Sequence, residues 1–167
     1  MLFFALIGIK KTITVTLEID KERSNQEIFK IKYVLSKFIK NQFKLYINDT
    51  GLLCAMYGFE IKKAVLENVI KGNAKGGIYE NIIAEILVKN GYELYYYRPD
   101  DSNELEFLIE KNGEVIPVEV KAGNTATKSL NRFIEKYKPT VAYKIVDGNV
   151  GVNENKLTIP HYMVMFL

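Results

Sequence analysis

A chain of 167 residues, 48% apolar and 26% charged, is long enough for one ordinary domain or two small ones and too apolar to be disordered. Its formal net charge of +3 permits nucleic-acid binding without arguing for it. The single cysteine, Cys54, excludes an internal disulfide and a cysteine-rich zinc site, and it fits a reducing cytoplasm.

Residues 1–9 are apolar, but no basic residue precedes them and no small-residue cleavage pattern follows. They are too short to cross a bilayer, so a buried strand or the stub of a longer chain is expected, with no membrane role. Residues 12–20 alternate, with Ile13, Val15, Leu17 and Ile19 on one face, which predicts a half-buried strand. After a polar break, residues 27–41 read as a helix through Ile28, Ile31, Leu35 and Phe38. Asp49 or Thr50 is placed to cap a short helix over residues 52–57. Residues 64–70 read as another short helix, and residues 71–77, with Gly72, Gly76 and Gly77, as a linker. Residues 78–90 carry the clearest helical period, closed by Asn90-Gly91. Glu80 falls at the edge of the apolar arc of that helix, and Asn81 and Glu85 on its polar side. Glu80 is therefore the carboxylate expected to face inward.

Three strands are expected next, over residues 93–97, 104–110 and 115–121. Lys111-Asn112-Gly113 predicts a tight hairpin between the last two. Alternate strand residues share a face, so Glu104 pairs with Glu106 and Glu119 with Lys121. The hairpin then brings Glu106, Glu119 and Lys121 to one side of a sheet. Two carboxylates and a lysine in one place can hold a divalent metal and orient a water, which is the chemistry of phosphodiester hydrolysis. The plainer reading is a solvated strand face with a cross-strand ion pair.

Residues 127–138 predict an amphipathic helix with Leu130, Phe133, Ile134 and Tyr137 at core spacing. Lys128, Arg132 and Lys136 form a basic stripe on another side, either a phosphate-contacting surface or a plain wet face. A strand over 141–146, a turn at 147–149 and a segment at 150–159 complete the chain. The order helix, three strands, helix, strand predicts an α/β fold: a meander plus one right-handed parallel crossover, giving a mixed sheet with helices against it. His161 is the only histidine, so no Ser-His or Cys-His set is expected and a structural role is assigned to it. Tyr95, Tyr96 and Tyr97 are read as packing residues rather than base-stacking ones.

With Glu80 on the helix, Glu106 on the second strand and Glu119-Val120-Lys121 on the third, the second half resembles the PD-(D/E)XK, or restriction-endonuclease-like, superfamily. More closely, the ordered segments 43–53, 75–81, 104–107, 119–123 and 128–130 resemble the conserved domain of unknown function at the C-terminal end of prokaryotic AAA-type ATPases. The resemblance covers roughly residues 43–167. It implies a nuclease-fold domain over 75–167, preceded by a truncated winged-helix-like connector over 1–74. It also implies Mg²⁺ or Mn²⁺ held by Glu80, Glu106, Glu119 and the carbonyl of Val120, with Lys121 catalytic. The activity implied is a Mg-dependent endodeoxyribonuclease, with DNA, an ATPase partner and a second copy of the chain as partners. A catalytically inactive module binding nucleic acid or a partner protein is the alternative. Two departures stand out. Glu106 occupies a position where the family usually has Asp, and the extra methylene of Glu carries its carboxylate about 1.5 Å further out. No Gly-x-x-x-x-Gly-Lys-Ser/Thr phosphate loop is present, so the ATPase module is missing and a truncated gene product is expected.

Overall fold

The computed structural model describes residues 9–11, 13–15, 44–100, 103–123 and 125–167. The helix expected over 27–41, most of the strand expected over 12–20 and half of the expected connector lie outside the described residues. Seven strands form one mixed sheet in the order β1 (Ile9–Lys11), β4 (Tyr95–Asp100), β5 (Asn103–Lys111), β6 (Glu114–Val120), β7 (Ala142–Val146), β9 (Lys156–Pro160) and β8 (Gly151–Asn153). Strands β4, β5 and β6 are an antiparallel meander, β6, β7 and β9 run parallel, and β1 and β8 close the edges antiparallel. A separate parallel pair joins β2 (Ile13–Val15) to β3 (Leu45–Ile47). The helices are α1 (Thr50–Tyr57), α2 (Phe59–Leu66), α3 (Gly72–Lys89) and α4 (Lys128–Tyr137), followed by a 3₁₀ helix, His161–Phe166. This is the mixed α/β architecture that the element order predicts.

The sheet carries a core on each face. Ile83, Ala84 and Leu87 of α3 pack on Phe107, Ile109, Ile116, Val118, Val120, Ile145 and Ile159. Leu130 and Phe133 of α4 pack on Tyr97, Leu105, Leu108 and Ala142. Helix α4 is thus the crossover between parallel strands β6 and β7. The β5–β6 hairpin turns through Asn112 and Gly113, with φ of 55° and 79°, the two left-handed positions a tight primed turn requires.

One irregularity matters for the site. Tyr95 pairs with Leu108 and Tyr97 with Leu105, so two steps on β4 face three on β5. That is a β-bulge, and it falls at Glu106-Phe107. In a regular strand Leu105 and Leu108 would point to opposite faces. Here both join the α4-side core while Phe107 and Ile109 join the α3-side core.

Three expectations are corrected. Residues 71–77 are not a linker: α3 begins at Gly72 and runs through Gly76 and Gly77. Glycine weakens a helix by about 1 kcal/mol per position, but a Cβ on Gly77 would lie 3.2 Å from the Tyr57 hydroxyl of α1, so close packing uses the missing side chain. The helix expected over 64–70 is α2, which starts earlier, at Phe59, and ends at Leu66, before Asn68 turns left-handed at φ 55°. Asn81 does not lie on a wet face; it is buried against β3. The Asp49 cap is observed, with its side chain accepting from Leu52 N at 2.9 Å.

Candidate active site

Strand β5 and the end of β6 meet where backbone pairing stops. The last paired residues are Phe107 and Val118. Beyond them the Glu106 side chain takes over: its Oε2 accepts from the Val120 amide at 3.2 Å and its Oε1 from Lys121 Nζ at 3.3 Å. The same ammonium lies 2.9 Å from Glu119 Oε1. The other oxygen of Glu119 accepts from Leu130 N, in the first turn of α4, at 3.3 Å. Glu119 therefore sits where the helix presents unpaired amides and a positive dipole end. Lys121 itself is held through its backbone. Its amide donates to Ile145 O at 2.8 Å, and its carbonyl lies 3.0 Å from His161 Nε2. The His161 ring packs on Tyr79 with centroids 4.4 Å apart.

Glu80 approaches from α3. One of its oxygens accepts from the Tyr46 hydroxyl at 3.2 Å and lies 3.5 Å from Lys44 Nζ. Lys44 also pairs with Glu104 at 2.5 Å, and Arg98 reaches the outer side of Glu104 at 3.8 Å. Helix α3 is fixed by its polar residues. Asn81 accepts from Ile47 N at 2.8 Å, and donates to Ile47 O at 2.8 Å and to Thr50 Oγ1 at 3.0 Å. Glu85 accepts from the Thr50 amide and hydroxyl at 3.1 and 2.7 Å, and its carboxyl is held below the ordinary range by Lys89 and Thr50 despite partial burial.

The charges are unevenly balanced. Among the described residues, Glu80, Glu106 and Glu119 pair with two ammonium groups, Lys44 and Lys121. The deficit falls on Glu106: burial pushes its carboxyl up to about 7, with Glu80 and Glu119 adding to the rise and Lys121 only partly opposing it. Burial works against the charge of Lys121 and of Lys44, yet their carboxylate neighbours raise both above the usual lysine range. Burial lowers His161.

A magnesium or manganese ion is tested by this donor set. Hard cations take carboxylate and carbonyl oxygens, and a buried carboxyl short of positive charge is what such an ion would complete. The pair Glu106 and Glu119 fits to that extent. Among the described residues no group of three or more His, Cys, Asp or Glu is gathered to hold an ion. Glu80 lies close enough to raise the Glu106 carboxyl, and its own hydrogen bonds are to Tyr46 and Lys44.

Of the basic stripe, Lys128 is exposed at the start of α4, Arg132 donates to the Asn103 side chain, and Lys136 lies 4.9 Å from the Tyr137 ring centroid. Sequence reasoning missed Lys44, Tyr46 and the placement of His161. Lys44 and Tyr46 stand two residues apart, one just before β3 and one within it, which was the available signal.

Residues 75–162 match the family described as "Domain of unknown function (DUF4143)". "Uncharacterized protein Mb2031c" of Mycobacterium bovis and "Uncharacterized protein Rv2008c" of Mycobacterium tuberculosis are each 34% identical over 89 residues, covering 53% of this chain and 19% of the relative. The chain therefore spans about a fifth of the length of the curated relatives it matches. No solved structure matches it. Among the described residues no helix is long and apolar enough to cross a membrane.

Proposed function

The chain belongs to the DUF4143 family, and from that footing we propose that it carries a metal-dependent nuclease domain of restriction-endonuclease-like fold, acting on the phosphodiester bonds of DNA. The observation that carries this reading is Lys121 Nζ held 3.3 Å from Glu106 and 2.9 Å from Glu119, two carboxylates from the two arms of one hairpin. The succession α3, meander, α4, parallel strand supports the fold, since it is the order the resemblance implies.

Glu106 and Glu119 would hold Mg²⁺ or Mn²⁺, with the Val120 carbonyl as a further oxygen. A bound divalent ion supplies Lewis acidity and a water acidic enough to attack at neutral pH. Glu80 would complete the oxygen donors or accept a hydrogen bond from ordered water. Lys121, already oriented through both of its backbone groups, would place the attacking water and stabilise negative charge building on the phosphate. Lys128, Arg132 and Lys136 would contact the DNA backbone. An ATPase partner, or an ATPase module in a longer protein, would deliver the substrate, and the chain would work as a homodimer.

A second reading has its own support. Both oxygens of Glu119 are engaged, by Lys121 and Leu130 N, and among the described residues no third acid is gathered with the pair to hold an ion. That arrangement favours a nuclease-fold module that binds nucleic acid or a partner protein without cleaving. The test is a Mg²⁺ and Mn²⁺ titration by calorimetry, followed by incubation with supercoiled and single-stranded DNA, on wild type, Glu119→Gln and Lys121→Ala. The hydrolase reading expects metal-dependent nicking by wild type alone. Trace nicking of equal size in all three proteins would overturn it in favour of the binding module.

A further inference from the structure

We propose that Lys44, the residue before β3, and Tyr46 of β3 are positioning residues of this site: together they fix the orientation in which α3 presents the Glu80 carboxylate toward Glu106. This rests on the reading of Glu80, Glu106, Glu119 and Lys121 as one centre. It extends that centre to a strand outside residues 75–162, the stretch that matches the family.

The geometry is specific. Lys44, immediately before β3, and Tyr46, within it, converge on the same oxygen, Oε2 of Glu80, at 3.5 and 3.2 Å. Lys44 is anchored on its far side by Glu104 of β5 at 2.5 Å, and its ammonium lies 5.9 Å from the Tyr96 ring centroid. It thus ties the helix carboxylate to the strand that carries Glu106. Tyr46 is buried, 6% exposed, with its ring 5.3 Å from Phe107, the residue after Glu106 and part of the bulge. One aromatic side chain therefore packs on the second strand and donates to the helix carboxylate. The mount beneath β3 is rigid. Asn81 clamps both the amide and the carbonyl of Ile47, so β3 cannot slide along α3 without breaking two hydrogen bonds at 2.8 Å.

A glutamate side chain left free samples several rotamers, and only some would reach the centre. Two donors on one oxygen select among them and leave the other oxygen available. Lys44 also sets a positive charge 3.5 Å from Glu80, so it opposes entry of a metal ion while it aims the ligand. Removing it should then separate two quantities that a merely structural residue would move together: metal affinity and turnover.

The first experiment needs neither metal nor substrate. Urea unfolding of wild type, Lys44→Met, Glu80→Gln and the double variant forms a double-mutant cycle. Coupling between the two sites, seen as a midpoint loss in the double variant smaller than the sum of the single losses, is the expected result. Strict additivity would overturn the proposal. The second experiment titrates Mn²⁺ into wild type, Lys44→Met and Lys44→Arg and follows cleavage of plasmid DNA. We expect Lys44→Met to bind Mn²⁺ severalfold more tightly and to lose kcat by tenfold or more with KM little changed, and Lys44→Arg to recover most of that loss. A parallel fall in affinity, kcat and midpoint would reduce Lys44 to a structural ion pair and overturn the proposal. Wild-type protein that takes up no Mn²⁺ would sink the metal reading instead, and the unfolding cycle would still decide the link between Lys44 and Glu80.

Discussion

Glu106 should make this protein less stable as the pH rises, and replacing it with glutamine should remove that dependence. In the folded chain its carboxyl is pushed from an ordinary 4.5 up to about 7 by burial, with Glu80 and Glu119 adding to the rise. Between those two values the native state holds a proton that the unfolded state has released. Stability therefore falls with rising pH across that window, and is level below it and above it. A shift from 4.5 to about 7, at roughly 1.4 kcal/mol per unit, makes the loss about 3 kcal/mol as an upper figure. Glu106→Gln keeps the shape and cannot titrate. It exchanges one acceptor for a donor facing Lys121, a penalty that does not vary across this range. The comparison is urea unfolding of both proteins from pH 4.5 to 8.5. The difference between them should move by about 3 kcal/mol in favour of glutamine as the pH rises. His161, whose shift is downward, titrates in both proteins and cancels in the difference. Saturating Mg²⁺ should flatten the wild-type profile, because its charge would keep Glu106 ionised. Parallel profiles for the two proteins would refute the reasoning, since Glu106 would then be ionised throughout.

Three further outcomes follow from the packing. Asn81→Ala leaves the Ile47 amide and carbonyl buried without their side-chain partner and should cost about 3 kcal/mol in chemical denaturation. Gly76→Ala should raise stability by roughly 0.5–1 kcal/mol, because the position is helical and an added Cβ meets nothing within 4 Å; a lower melting temperature would contradict this. Lys121→Met removes the partner shared by two buried carboxylates and should destabilise by about 2 kcal/mol at pH 8, and by less at pH 5 where Glu106 is protonated. Equal losses at the two pH values would show that Lys121 is not the counter-charge of Glu106.

The local signals that survived folding were those fixed by backbone chemistry. Asn112-Gly113 predicts a primed turn because both positions must be left-handed, and they are. The Asn-Gly hairpin predicts that Glu106, Glu119 and Lys121 come together, and the two carboxylates do meet at the Lys121 ammonium, while Glu104 pairs with Lys44 instead. What failed was what tertiary contact decides. Three glycines read as a linker because propensity penalises them, while the packing of α1 against α3 places Gly77 where a side chain would crowd Tyr57. Asn81 reads as solvent-facing on a helical wheel, and a wheel does not know that a strand from another segment lies against that face. The same blindness hid Lys44 and Tyr46, whose partners stand 36 and 34 residues away in the chain. The bulge was also invisible, since one extra residue in β5 is apparent only once β4 is paired with it.

That bulge bears on the glutamate where the resemblance expects aspartate. The longer side chain reaches two groups at once, the Val120 amide at 3.2 Å and Lys121 Nζ at 3.3 Å. Shortening it by one methylene withdraws the carboxylate by about 1.5 Å, beyond hydrogen-bond range of either partner on a fixed backbone. Glu106→Asp would then leave the Val120 amide unpaired in a buried place, a loss of about 1–2 kcal/mol. The length of the side chain and the extra residue in the strand are matched to one another. Hydrogen exchange at the Val120 amide reads this directly: strong protection in wild type and a large loss in Glu106→Asp are expected. If that amide stayed protected and the unfolding midpoint did not move, the backbone would have followed the shorter side chain, and the added methylene would have no structural part in holding β5 against β6.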